Sequence, residues 1–224
     1  MMMNLFSIFD PSTAYYWSLN WGSVLYFLIF LPNIYWVVPS NSLILMKVIV
    51  EFMVKELGVA LSKNFNKINL LMFISLFVYI LLNNFISLFP YIYNSSSHMV
   101  YSLSFSLLMW LSFMMFGWSS NIYHMFVHLT PQGTPYILMP FMVMIETVSN
   151  LIRPLTLSIR LTANIIAGHL LMTLMSQSMM NFNFVLIGAL VVIQSSLVVL
   201  EIAVSFIQSY VFSILSSLYS ADTN

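Results

Sequence analysis

Residues 152–175 read IRPLTLSIRLTANIIAGHLLMTLM, and what needs explaining in them is Arg160, a guanidinium in a stretch otherwise apolar enough to lie in lipid. An arginine at the centre of a membrane helix costs at least about 2.5–3.5 kcal/mol on insertion scales. With a pKa above about 12 it cannot escape that cost by losing its proton. Arg160 is therefore a fixed positive charge that calls for a negative partner, and it marks a functional position.

The composition agrees with a membrane setting. Of 224 residues, 61% are hydrophobic and 5% charged, against roughly 45–50% and about 25% in a soluble domain. The expected fold class is an all-α membrane protein, a single polytopic domain over residues 1–224. Six basic and six acidic residues cancel, so no bulk attraction points to nucleic acid or to an acidic soluble partner. The chain has no cysteine, which excludes disulfides, thiolate metal sites and thiol nucleophiles. The N-terminal MMMNLFSIFDPSTAYYW lacks the basic region of a secretory signal and the arginines of a mitochondrial presequence. It is expected to remain in the mature protein, and the 18 methionines with scarce Gly hint at synthesis inside an organelle.

Working outward, residues 17–38 form a first apolar span, with Pro32 as a candidate kink. Residues 42–67 hold all four lysines, Lys47, Lys55, Lys63 and Lys67. Lys47, Glu51 and Lys55 are four apart, which predicts an amphipathic helix lying on the membrane surface. The positive-inside rule puts this segment on the cytoplasmic or matrix side. Spans over 68–89 and 98–118, joined by the polar turn 90–97, predict a hairpin across 68–118. His124 and His128 are four apart in the following segment, without a nearby acid or third ligand, and read as interfacial rather than metal-binding. Residues 136–177 and 182–219 would each make a helix near 60 Å, about twice a hydrocarbon core. They predict a long, steeply inclined hairpin over 136–219, turning at 178–181. The total is about five transmembrane helices plus one surface helix.

Polar residues in this last hairpin are regularly spaced. Glu146, Asn150, Arg153, Leu157, Arg160 and Asn164 advance by 4, 3, 4, 3 and 4, one helical face directed at a single neighbour. Gln194, Glu201, Ser205 and Gln208 form a second stripe. His169 lies nine residues after Arg160, about half a turn round, and is expected to meet Glu201 on the adjacent helix. Glu and His carry protons, Arg cannot, and no nucleophile, phosphate loop or cofactor site accompanies them. Proton conduction is the expected activity, with no cofactor and no catalysis by this chain. The alternatives are a haem-bearing redox subunit and a proton-pumping dehydrogenase subunit. The first needs paired deep histidines, whereas His98, His124 and His128 fall near span ends. The second favours intramembrane lysines, which are absent from these spans.

The run HLTPQGTPYILMPFMVMIETVSNLIRPLTLSIRLTANIIAGHLL, with LVVLEIAVSFIQSYVF downstream, resembles subunit a of F-type ATP synthase in its mitochondrially encoded form. PQGTP and IRPLTLSIRLTAN are the most specific segments. The resemblance implies a stator subunit of the mitochondrial inner membrane, with the N-terminus toward the intermembrane space and the C-terminus toward the matrix. It implies contact with a ring of c subunits, with peripheral-stalk and accessory membrane subunits and with lipid, and none with nucleic acid. Two half-channels are implied, with Arg160 as the barrier between them, His169 and Glu201 on the inlet, Glu146 on the matrix exit, and Asn164 and Gln208 lining the region near the arginine.

Overall fold

The computed structural model describes residues 6, 9–12, 17–32, 38–61, 67–89, 92–120, 122–130, 135–179 and 184–222. Every element in them is helical. A 3-10 turn, Leu19–Leu25, leads into the short helix α1, Phe27–Phe30, and is followed by α2, Asn41–Ala60, and α3, Lys67–Ser87. A second 3-10 turn, Ser95–Ser97, precedes α4, Met99–Ser120, α5, Ile122–Leu129, α6, Met139–Ser178, and α7, Phe184–Asp222.

Four of these helices, α3, α4, α6 and α7, are long and apolar enough to cross a bilayer. The expected first span over 17–38 is helical only through Phe30 among the described residues, and Leu19–Phe30, largely 3-10, would cover about 21 Å, short of a crossing. Leu31 leaves the helix with φ −70° and ψ 118°, as the residue before Pro32 is driven to do by the proline ring. Residues 33–37 of that span lie outside the described set. The expected surface helix over 42–67 ends earlier, at Ala60, where Leu61 is extended (φ −86°, ψ 115°). Lys67 instead opens α3, and Lys63 lies outside the described residues. α6 runs unbroken through Pro154 for 40 residues, as the absence of turn chemistry around that proline predicts. Residues 180–181 of the expected turn, and 131–134 of the PQGTP motif, are outside the described residues.

α3 packs along α7, α4 along α6, and α6 along α7, while α2 lies across α3 and α7. The expected pairing of the two spans in 68–118 is loose. α3 and α4 meet through side chains, Tyr79 against Phe105 at 5.3 Å between ring centroids and Asn83 donating to the Tyr101 hydroxyl at 3.2 Å, but their principal neighbours are α7 and α6. One core cluster joins α2, α3 and α4 through Met53, Leu57, Phe73, Phe77 and Met109. A second joins α3, α6 and α7 through Ile80, Leu157, Leu161, Ile165 and Phe212.

α7 approaches its neighbours along a row of small side chains. Ser205, Ser209, Ser213, Ser216, Ser217 and Ser220 are all buried. Each hydroxyl donates to the carbonyl three residues back, as in Ser209 to Phe206 at 2.8 Å and Ser213 to Tyr210 at 2.9 Å. The polar group is thus satisfied within its own helix, and the small volume lets the helix backbones come close in a setting where apolar burial alone does not drive association.

Candidate functional site

α6 and α7 lie antiparallel, since partners on α7 rise in number as those on α6 fall. His169 meets Glu201, Leu157 clusters with Phe212, and the Arg153 guanidinium lies 5.6 Å from the centroid of the Tyr219 ring. This pairing brings the expected proton-carrying groups together. His169 Nε2 is 3.9 Å from Glu201 Oε1, within reach of an ion pair and longer than a hydrogen bond. Both atoms are buried and neither has a hydrogen-bond partner.

Glu201 owes its position to a glycine. A Cβ built on Gly168 would fall 2.5 Å from Glu201 Oε1 and 2.9 Å from Cδ, so the carboxyl rests on the bare backbone of α6. Around it opens a cavity of about 240 Å³ lined by Asn164, Gly168, Leu171, Leu200, Glu201 and Val204. Asn164 of α6 and Glu201 of α7 thereby line one cavity. Gln208 is half-buried on α7, two turns beyond Glu201, and makes no side-chain hydrogen bond among the described residues.

A second cavity, about 220 Å³, lies toward the start of α6 and is lined by Trp110, Trp118, Met125, Asn150, Arg153 and Tyr219, among others. Glu146 pairs with Arg153 at 3.7 Å across two turns of α6. Arg153 thus has acidic and aromatic company, and Glu146 has an ion-pair partner on its own helix.

Arg160 sits between the two cavities along α6, about 10 Å from Arg153 and about 12 Å from Gly168 at 1.5 Å per residue. It is exposed, on a face shared with Thr156, Ala163, Ala167 and Leu171, and no carboxylate of the described residues lies in ion-pair range of it. The expectation that the six-residue stripe faces one neighbour is corrected here. Leu157 is buried against α3 and α7, Arg153 turns to Tyr219 and Arg160 points outward, because the stripe follows the boundary between the buried and exposed faces of α6.

His124 is exposed on α5, and the His128 side chain lies outside the described set. No group of three or more potential metal ligands occurs among the described residues. At the far end of α3, Tyr93 and His98 stack with ring centroids 5.5 Å apart, and the Tyr93 hydroxyl and His98 Nε2 share a hydrogen bond. Trp21 covers His98 at 5.3 Å. Burial, and secondarily the negative charge of Asp10, push the Tyr93 hydroxyl up to about 12, so it stays protonated at physiological pH. Asp10 itself is lowered by the main-chain N–H and hydroxyl of Ser12. An isolated glycine in an apolar helix carries no pattern, so the role of Gly168 is not legible in the sequence, and neither is that of this cluster.

The ATP synthase A chain family matches residues 15–221 of the chain. ATP synthase subunit a of Drosophila melanogaster is 51% identical over 224 residues, covering 100% of both chains. The proteins of the same name from Aedes aegypti and Anopheles gambiae are each 50% identical over 226 residues, again covering 100% of both. With this full-length identity, on four helices able to span a membrane, the chain belongs to the ATP synthase subunit a family.

Proposed function

We propose that the chain is the proton-translocating stator subunit of an F-type ATP synthase in the mitochondrial inner membrane, and that Arg160 separates two offset half-channels within it. The observation that carries this reading is the position of Arg160, exposed on an apolar face of α6 and lying between two polar-edged cavities. The inlet runs through the cavity of Glu201 and Asn164, with His169 beside Glu201 and Gln208 beyond, and the exit through the one beside Asn150, Arg153 and Glu146. The exposed face around Arg160 takes a ring of c subunits, whose carboxylate is the missing counter-ion. The remaining exposed surface meets lipid, the peripheral stalk and accessory membrane subunits.

Electrostatics makes the barrier productive. An ionised carboxylate facing lipid suffers a penalty of several kcal/mol, so a ring carboxylate must be protonated there and ionises only beside Arg160 or a wet half-channel. Rotation and proton transfer are thereby tied, and each proton crossing about 100 mV supplies about 2.3 kcal/mol. The chain itself performs no catalysis and holds no cofactor.

The lysines of α2 and of the start of α3 orient the chain by the positive-inside rule. They put the Glu146–Arg153 end on the matrix side and the His169–Glu201 end, which neighbours the end of α3, toward the intermembrane space. With residues 17–38 as a fifth crossing, the N-terminus faces the intermembrane space and the C-terminus the matrix.

Arg160→Lys tests the barrier. Lysine keeps a charge but loses the planar fork and can give up its proton. The expected outcome is an assembled complex that has lost proton-coupled ATP synthesis. Coupled synthesis at the parental rate would remove Arg160 from the mechanism.

A further inference from the structure

The cavity of about 220 Å³ beside Arg153 has walls from four helices, and the walls differ in kind. α4 and α5 supply Trp110, Phe113, Met114, Met125 and Leu129, all apolar or aromatic. α6 and α7 supply Thr147, Asn150, Arg153 and Tyr219. The apolar side is firmly built, because α5 folds back on α4 so closely that a Cβ on Gly117 would stand 3.0 Å from Met125 Sδ, and the Trp118 and Phe126 rings meet edge to face at 5.1 Å. On the polar side the Asn150 amide makes no side-chain hydrogen bond among the described residues. Glu146, 3.7 Å from Arg153, does not line the cavity.

Depth in the membrane narrows what such a cavity can hold. Trp118 lies two residues before the end of α4 at Ser120, and Tyr219 three before the end of α7 at Asp222. Tryptophan and tyrosine at span ends mark the level of the lipid head groups. α5 agrees, since Ile122, Tyr123, Phe126 and Val127 are all exposed on its eight residues, as suits a short helix set in the interface. The walls of α4 and α5 give water no hydrogen-bond partner, and an apolar cavity excludes it. At about 30 Å³ for each water-sized group the space takes roughly seven methylenes. An acyl chain gains little by leaving the bilayer for an apolar wall, because lipid tails are as apolar as the side chains. The head group therefore decides which lipid stays, and a guanidinium with a neighbouring amide selects a phosphate that carries net negative charge.

We infer that this cavity binds an anionic phospholipid of the matrix leaflet, its phosphate against Arg153 and Asn150 and the first part of one acyl chain between Trp110, Met114 and Leu129. Only the sidedness of the chain is taken from the reading above. The lipid occupies the side that offers a proton no polar group, and it supplies the Arg153 charge with an acceptor from outside the protein.

The test uses the intact complex in phosphatidylcholine vesicles that contain a trace of a lipid with a photoreactive acyl chain, either phosphatidylglycerol or phosphatidylcholine, and maps the labelled peptides by mass spectrometry. Phosphatidylglycerol is expected to label residues 110–118 and 122–129 about tenfold more than phosphatidylcholine does. Arg153→Met should abolish the preference, and Arg153→Lys, which keeps the charge, should retain most of it. Leu129→Trp fills the chain site with Arg153 intact and should lower labelling by both probes, which keeps the inference testable if Arg153→Met does not assemble. Equal labelling of the parent by the two probes, or a preference that survives Arg153→Met, overturns the inference. A photoreactive fatty acid that labels these peptides where phosphatidylglycerol does not overturns it too, since the occupant is then a free carboxylate. Loss of the preference in Arg153→Met with parental proton flux leaves the lipid site standing and removes Arg153 from the exit path.

Discussion

The carboxyl of Glu201 on α7 lies directly against the backbone of Gly168 on α6, where an added Cβ would stand 2.5 Å from Oε1. No real Cβ tolerates such a distance, so the acid and the glycine form one unit. The space that Gly168 leaves is the space in which Glu201 meets His169.

Gly168→Ala is therefore expected to displace the carboxyl and lower proton uptake about tenfold, the scale of a 1.4 kcal/mol change. Alanine is the better helix former by about 0.5–1 kcal/mol, so the complex should still assemble and resist heat at least as well as the parent. Gly188→Ala, which meets nothing within 4 Å, provides the control. ATP-driven proton pumping in vesicles, read beside thermal dissociation on native gels, separates the two effects, and equal pumping in both variants would remove the steric argument.

Replacing Glu201 by glutamine keeps the volume and one acceptor but abolishes proton exchange. Slower proton entry into the complex across the whole pH range is the expected result, measured as flux through the membrane sector stripped of its soluble head. Parental flux at every pH would leave Glu201 a packing residue.

Arg153 holds Glu146 at 3.7 Å and stands over the Tyr219 ring. The ion pair is partly exposed, and pairs of that kind contribute about 0–1 kcal/mol, while a cation over an aromatic face adds about 0.5–1 kcal/mol. Arg153→Met should therefore weaken the complex by about 1 kcal/mol. A double-mutant cycle with Tyr219→Leu should recover a coupling of about 0.5 kcal/mol or more. Strict additivity would show that the ring and the guanidinium do not interact.

Ser213 is fully buried on the close-packed side of α7. Ser213→Leu inserts two heavy atoms more than it removes, and overpacking of this order costs about 1–3 kcal/mol. Reduced assembly of the complex, quantified by native gel, is expected. Ser213→Ala, which preserves the small volume and loses only a hydrogen bond within the helix, should assemble as the parent does. The reverse order would place the stabilisation in the hydroxyl instead of in the volume.

Much of this protein is legible along the chain. Apolar runs longer than a bilayer is thick define α3, α4, α6 and α7 because a helix is the one open-ended form that satisfies its own backbone in lipid. Pro32 stops the helix before it, and the isolated charge at Arg160 announces itself by its cost. The meeting of His169 with Glu201 was also within reach, since the two occupy corresponding heights on adjacent antiparallel helices. What the linear pattern leaves open is which side of each helix is covered. The spacing of Glu146, Arg153, Leu157 and Arg160 is one stripe on paper. Only packing divides it, because α3 and α7 bury Leu157 while Arg160, a fraction of a turn away, remains on the open face. Gly168 was equally silent. An isolated glycine has no local signature, and it acquires meaning from the carboxyl that a second helix brings against it. Sequence by itself determined the helices and the charge that must be answered, because both follow from the local cost of leaving water. The tertiary structure alone decided which atoms are close enough to share a proton, because that depends on distances between helices set by side-chain volume.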